Sequence, residues 1–203
     1  MENKEDRKNS AALIIEAATK EFSQFGFAGA RIDRIAKQAG VNKAMIYYHF
    51  SSKEKLYQTI IEQFVNKMKN FFNERMLFLD DPGEIFGQLS DFYYSQLANS
   101  GFIPILLREI ASGGETIKQL FADFVAKGPI HKLISVIESS VEQGSFREID
   151  SRQAISSFIG MNLYYLIMAP MINNILEIKD EKDFRAKRPE AIVDLFLNGI
   201  KAK

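Results

Sequence analysis

Residues 32–56 read IDRIAKQAGVNKAMIYYHFSSKEKL, and the reading of this stretch decides the fold. From Ile32 to Ala39 the spacing predicts a short helix with Ile35 and Ala36 on its inner side. Gly40 stops it, and Asn42 suits the N-cap of a second short helix running to about Phe50. In that second helix Ile46 and Phe50, four residues apart, anchor inward together with Val41. Two helices joined by a glycine-containing turn of three or four residues form a helix-turn-helix, whose second helix enters the major groove of DNA.

The residues left on the outside have the chemistry such a helix needs. Lys43, at the helix start, reaches a phosphate, and Ala44 lets the backbone approach base edges and touch a thymine methyl. The hydroxyls of Tyr47 and Tyr48 and a ring nitrogen of His49 can donate to phosphates. Asn42 belongs to the same set because it opens the recognition helix. Lys53 and Lys55 lie where the next helix begins, so free backbone amides and two ammonium groups can hold another phosphate. Ordinary packing would account for Tyr47 or His49 taken singly. Two adjacent tyrosines on so short a helix cannot both be buried, and the pattern favours DNA.

Composition narrows the remaining choices. The chain has 203 residues, 46% hydrophobic and 26% charged, which suits a folded protein and argues against disorder. No uninterrupted apolar run approaches the length a membrane helix needs, and the mixed-charge N-terminus does not resemble a secretion signal. There are no cysteines, hence no disulfide, thiolate metal site or thiol nucleophile, and a cytoplasmic location is expected. The net charge is zero, yet residues 1–60 carry a net +3 and residues 61–203 a net −3. That asymmetry suits a DNA-facing head on an acidic body.

The whole chain reads as helix. A first amphipathic helix is expected over Ser10 to Phe25, with Leu13, Ala17, Ala18, Phe22 and Phe25 as its apolar stripe and Gly26 as a left-handed cap. After the helix pair, Ser51 and Glu54 read as a capping box opening a long fourth helix. A turn at Leu79 to Gly83 follows, then helices at about 83–99, 102–111, 115–145, 151–176 and 188–202. Gly128-Pro129 should kink or split the third of these, Asp150 to Gln153 is a second capping box, and Pro189 suits a first helical turn.

Several fixed-spacing elements agree at once with one known pattern. Ile35-Ala36, Ala39-Gly40-Val41-Asn42-Lys43, Ile46-Tyr47-Tyr48-His49-Phe50 and Ser52-Lys53-Glu54-Lys55-Leu56 resemble the N-terminal signature of the TetR family of bacterial transcriptional regulators. Ala17-Ala18, Phe22 and Gly26 match its first helix, so the resemblance covers about residues 10–60. It implies an all-α chain, with a three-helix helix-turn-helix DNA-binding domain over 1–55 and a larger helical ligand-binding and dimerisation domain over 56–203. By the same resemblance, Lys43, Ala44, Tyr47, Tyr48, His49 and Lys53 fall on positions that commonly touch DNA. The chain departs from the pattern twice. Ala30 and Arg31 stand where a Thr or Ser usually caps the second helix, so the cap is weaker while Arg31 can supply a charge-assisted contact to phosphate or base. Ala44-Met45 replaces the usual Gly or Pro after the lysine.

The body is rich in aromatics at helical spacing, most of them expected to be core. The resemblance implies a pocket for a small inducer among the middle helices. Phe64, Met68, Phe92, Phe102, Arg108, Phe121, Phe124, Met161 and Tyr165 are the candidates to line it, and they would suit a hydrophobic compound. Arg108 either pairs internally or meets an anionic ligand. Two stripes near the C-terminus suggest a dimer seam: Ile155, Phe158, Ile159 and Asn162 on one helix, and Ile192, Leu195, Phe196 and Gly199 on the other. A four-helix bundle between two copies follows from the resemblance, and a homodimer would place two heads on a palindromic operator of double-stranded DNA.

An enzyme would need a nucleophile–base pair, a metal cluster or a cofactor loop, and the sequence has no such signature; no cofactor and no metal are expected. The expected function is therefore a repressor released from DNA by a small hydrophobic ligand. The rival keeps the fold and acts through a protein partner, with no small-molecule inducer.

Overall fold

Gly26 takes φ 68 and ψ 175 inside the first helix, α1 (Lys4–Gly29), and bends it where the sequence suggested a cap. The computed structural model describes residues 4–202 except 116, 120, 121 and 123–127, with side chains described from residue 9 onward. After α1 come α2 (Ile32–Ala39), α3 (Lys43–Phe50) and α4 (Lys53–Phe71), then α5 (Pro82–Phe92) and α6 (Phe102–Ala111). The remaining described helices are α7 (Pro129–Glu142), α8 (Ser151–Ile175) and α9 (Glu181–Ile200). One-turn π-helical segments, Phe72–Met76 and Tyr93–Leu97, extend α4 and α5. No strand occurs among the described residues, so the protein is all-α with the three-helix head at its N-terminus.

The chain divides into two compact units, Met1–Met68 with Gly101–Ala122, and Lys69–Ser100 with Asp123–Lys203. The unit that contains the head therefore also contains α6, and α4 runs on from the first unit into the second. In the first unit, Ile14, Ala17, Ala18 and Phe22 of α1 are buried with Ile35, Ala36, Ile46, Phe50, Leu56 and Ile61. Leu13 and Phe25, expected on the apolar stripe, are exposed instead, and Ile14 takes the inner position. The Arg34 guanidinium lies 4.2 Å from the centre of the Phe25 ring and shields it. Phe22, Phe27 and Tyr57 form an aromatic cluster, Tyr57 lying edge-on to Phe22 at 4.9 Å, and Phe64 stacks on Phe102 at 3.9 Å.

The second unit is organised around Phe86. Its ring lies 4.8 Å from both Phe158 and Phe196, so α5, α8 and α9 meet on three phenylalanines. A buried polar pin crosses this core: Ser90 Oγ donates to Asn162 Oδ1 at 2.7 Å, and Asn162 Nδ2 donates to Phe158 O at 2.9 Å. Such a pin adds little net stability when satisfied, but it fixes register because any slip leaves a buried polar group unpaired. The C-terminus closes the unit: Arg147 N–H donates to Ile200 O at 2.9 Å and Ala202 N–H to Ser145 O at 3.0 Å.

Two boundaries differ from expectation, and a third follows it. Helix α4 is capped by Ser52, whose Oγ accepts from Lys55 N–H at 3.1 Å, because Ser51 sits at φ 63 and ends α3 instead. Helix α9 begins at Glu181 and not near residue 188. Asp180 accepts from Asp183 N–H at 2.9 Å and caps it, and Asp183 then pairs with Lys187 one turn on, so a charged stretch read as loop is a solvated helix. Pro189 accordingly lies inside α9. Gly128 (φ 146) comes immediately before Pro129, which opens α7, splitting the expected 115–145 helix as its Gly-Pro pair suggested.

Helix α8 also qualifies one reading of composition. Its 25 residues include a window long and apolar enough to cross a membrane, although much of that window is exposed and Asn162 and Asn173 are buried on its inner side.

Candidate nucleic-acid interface

The turn between α2 and α3 is built from backbone. Gly40 adopts φ 68 and ψ 26, the left-handed conformation that a side chain disfavours, while a Cβ there would meet nothing within 4 Å. Its requirement is conformational and not steric. Val41 N–H then donates to Ala36 O at 3.0 Å, closing the end of α2. Asn42 Oδ1 accepts from Met45 N–H at 2.9 Å, so the asparagine caps α3 as its sequence position predicted. Ile46 and Phe50 face the core, and α3 is thereby held with its opposite side in solvent.

The start of α2 is secured in a way the sequence reading missed. Arg31 occupies the N-cap position and offers no capping side chain. Glu21, ten residues earlier in α1 and only 1% exposed, supplies the acceptor: Oε1 takes Arg31 N–H at 2.9 Å. The same oxygen receives Arg34 Nε at 2.6 Å, and Arg34 Nη2 donates to Gly29 O at 2.8 Å. A carboxylate this deep needs a cation and a helix N-terminus beside it, and it has both. The available signal was an acidic residue in the middle of an otherwise apolar helix face.

Every DNA candidate lies between the N-cap of α2 and the first turn of α4. Tyr47 and Tyr48 are 48% and 61% exposed, as two adjacent tyrosines on a short helix require. Ala44, Lys43, Asn42 and Arg31 are exposed as well, and the Arg31 side chain makes no ion pair among the described residues. Lys43 pairs with Asp33 across the turn, with both groups open to solvent. His49 is half-buried, its Nε2 3.0 Å from Ser10 Oγ, so it ties α3 to α1 on the flank of the face. Lys53 places its ammonium 4.8 Å from the Phe27 ring centre, and Lys55 lies 3.4 Å from Glu62. Exposed ion pairs of this kind contribute about 0–1 kcal/mol, so a phosphate can displace either carboxylate at small cost.

The ligand candidates are distributed over both units. Phe64, Met68, Phe102 and Arg108 belong to the first, and Phe92, Met161 and Tyr165 to the second. Phe121 and Phe124 lie outside the described residues. Phe92 packs on Phe71 at 4.5 Å, Tyr165 donates to Asn173 Oδ1 at 3.0 Å, and Met161 faces solvent. Arg108 pairs internally: its guanidinium donates to the carbonyls of Phe22, Ser23 and Gln24. Within the second unit, a groove of about 700 Å³ is lined by Lys132, Ser135, Ser139, Gln143, Leu197 and others, a mixed set that includes none of the ligand candidates.

The dimer candidates separate by burial. Ile155, Phe158, Asn162, Ile192 and Phe196 are buried inside the second unit and serve the chain's own core. Ile159 is half-buried, and only Leu195 and Gly199 are exposed. The apolar surface that α8 leaves open is a different stripe, Met161, Tyr164, Ile167, Met171 and Ile175. Both stripes recur at helical spacing, and periodicity could not say which one the core would take.

Residues 14–60 match the model of the tetR family of bacterial regulatory proteins. The chain is 28% identical over 192 residues to the HTH-type transcriptional repressor NicS of Pseudomonas putida, spanning 93% of this chain and 91% of that one. It is 45% identical over 58 residues to the HTH-type transcriptional repressor SCO4008 of Streptomyces coelicolor, covering 29% of this chain and 30% of the relative. Among solved structures, the TetR family regulator PfmR from Thermus thermophilus superposes with a TM-score of 0.70 at 23% identity, over 91% of this chain and 97% of that one. Residues 14–60 thus match the family's DNA-binding domain, and along most of its length the chain is similar to transcriptional regulators of the TetR family.

Proposed function

We propose that this regulator is a cytoplasmic homodimeric repressor that binds a palindromic operator and is released by a small hydrophobic ligand. The observation that carries the DNA-reading part is the outer face of α3. Ile46 and Phe50 anchor the helix, while Ala44, Tyr47 and Tyr48 are exposed beside Lys43 and Arg31. In this reading Lys43, Lys53, Lys55, Arg31 and the hydroxyls of Tyr47 and Tyr48 hold phosphates, and Ala44 meets base edges. Asn42 and His49 orient the helix through the Met45 amide and Ser10. Repression is favoured because two relatives over the matched regions are repressors.

The dimer reading rests on the open stripe of α8 together with Leu195 and Gly199 of α9, an apolar surface that a second copy would cover. Two heads on one duplex add their phosphate contacts, and a ligand need only change the separation of the heads to release them. The abundance of Phe, Tyr and Met in the body supports a hydrophobic ligand. Hydroxyl-radical footprinting on DNA upstream of the protein's own gene tests the arrangement. Two symmetric protected half-sites, about one helical turn or slightly more apart, are expected. A single protected half-site would contradict the dimeric reading.

A further inference from the structure

The bend at Gly26 has a structural consequence for α6. An α-helix that ends leaves its last carbonyls without intrahelical partners, and Gly26, at φ 68 and ψ 175, ends the regular ladder of the first segment of α1. Arg108 of α6 receives what is left. Its Nη1 donates to Phe22 O at 3.2 Å and to Ser23 O, and its Nη2 donates to Gln24 O at 3.2 Å. A planar guanidinium with five donors suits several converging carbonyls, and its charge opposes the negative end of the helix dipole. The arm of the same side chain lies over the bend, so a Cβ on Gly26 would come within 3.2 Å of Arg108 Cδ. The neighbouring Glu109 accepts from the Tyr57 hydroxyl of α4 at 2.8 Å, a second tie from α6 within the same unit.

The far side of the bend is also fixed. Arg34 Nη2 binds Gly29 O, and Glu21 holds Arg31 N–H where α2 begins. The direction in which the chain leaves Gly26 therefore sets where α2 starts, and α3 follows α2 through a tight turn. We propose that Arg108 is a positioning residue for DNA binding: by clamping the carbonyls of Phe22, Ser23 and Gln24 before the bend it fixes the angle at which α2 and α3 are presented, and it makes α6 part of the DNA-binding head. Left-handed glycines bracket this helix, Gly101 at φ 69 before it and Gly113 at φ 102 after it, so α6 can follow the head while its flanking segments absorb the backbone change. The inference takes Arg108 out of the ligand set, and its functional arm rests on the DNA-reading role of α3.

The test uses the full chain with Arg108→Gln and Arg108→Lys. Amide hydrogen exchange is followed at residues 26–31, and fluorescence anisotropy is measured against a duplex that the wild-type protein selects from a random-sequence pool. Arg108→Gln should weaken binding about five- to tenfold at a temperature where circular dichroism shows it fully folded, and speed exchange at 26–31. Its salt slope should match wild type, because no phosphate contact is lost. Arg108→Lys should recover part of the affinity, keeping the charge without the fork. Unchanged affinity in Arg108→Gln, or a salt slope smaller by about one contact, overturns the assignment, the latter because Arg108 would then touch DNA itself. If the wild-type protein selects no duplex, the DNA-reading role fails separately and exchange alone decides: faster exchange upholds the clamp, and unchanged protection overturns it.

Discussion

Glu21 carries more of the head's geometry than its position in α1 suggests. It is the acceptor for the first free amide of α2 and the partner of Arg34, and it is almost fully buried. Replacing it with Leu leaves Arg31 N–H without its acceptor and strands Arg34 beside an apolar group, which should cost about 2 kcal/mol. Glu21→Gln keeps an acceptor and should cost less; thermal melts of the two variants check the order, and equal melts would contradict it. Tyr93 gives a pH prediction at the same scale. Burial pushes its hydroxyl up to about 12, and burial, then the bond to Glu109, raises that of Tyr57 as well. Unfolded tyrosines ionise near pH 10 while these two stay protonated in the fold, so stability is fully present below about pH 10. It is lost as the pH climbs toward 12 and beyond. Melting temperatures between pH 9 and 12 should fall less steeply in Tyr93→Phe than in wild type.

At the scale of elements, the punctuation residues decide most of the outcome. Gly40 sits at positive φ with open space around it, so Gly40→Ala should cost about 1 kcal/mol through backbone strain alone, readable as a lower denaturant midpoint with an unchanged slope. Such residues are also why α2, α3 and α6 were legible from sequence to within a residue. Gly40, Asn42, Gly101 and Ser112 act locally, and nothing distant can override them. Other boundaries depended on more. Ser51 and Ser52 are equivalent as letters, and only the positive φ of Ser51 makes its neighbour the cap of α4. The α9 N-terminus was hidden by its charge, which belongs to a solvated first turn capped by Asp180. The exposed face proposed to meet DNA was readable as a surface because it is short and contiguous. The supports behind it were not, since Glu21, Ser10 and Arg108 meet their partners across 10, 39 and more than 80 residues of chain.

At the scale of the whole molecule, the same helix α8 offers two apolar stripes, and burial separates them. Phe158, with Phe86 and Phe196, is the core, so Phe158→Ala should destabilise the folded chain by about 3–5 kcal/mol. Tyr164 and Leu195, 54% and 63% exposed, are on the surface proposed for a second copy. Tyr164→Glu with Leu195→Glu should therefore leave the far-ultraviolet spectrum unchanged while sedimentation shifts from dimer to monomer; a double variant that stays dimeric would move the interface elsewhere. In the proposed function all of this serves the presentation of α3 to DNA, and one titration tests that proposal most directly. Purified protein is titrated by fluorescence anisotropy against DNA upstream of its own gene at increasing salt, beside Tyr48→Ala. The account predicts tight, sequence-selective binding that weakens steeply with salt, and a loss of affinity of about tenfold or more when the Tyr48 ring and hydroxyl are removed. Wild-type binding that ignores sequence, or a Tyr48→Ala protein that binds as tightly as its parent, would contradict the assignment of α3 as the reading helix.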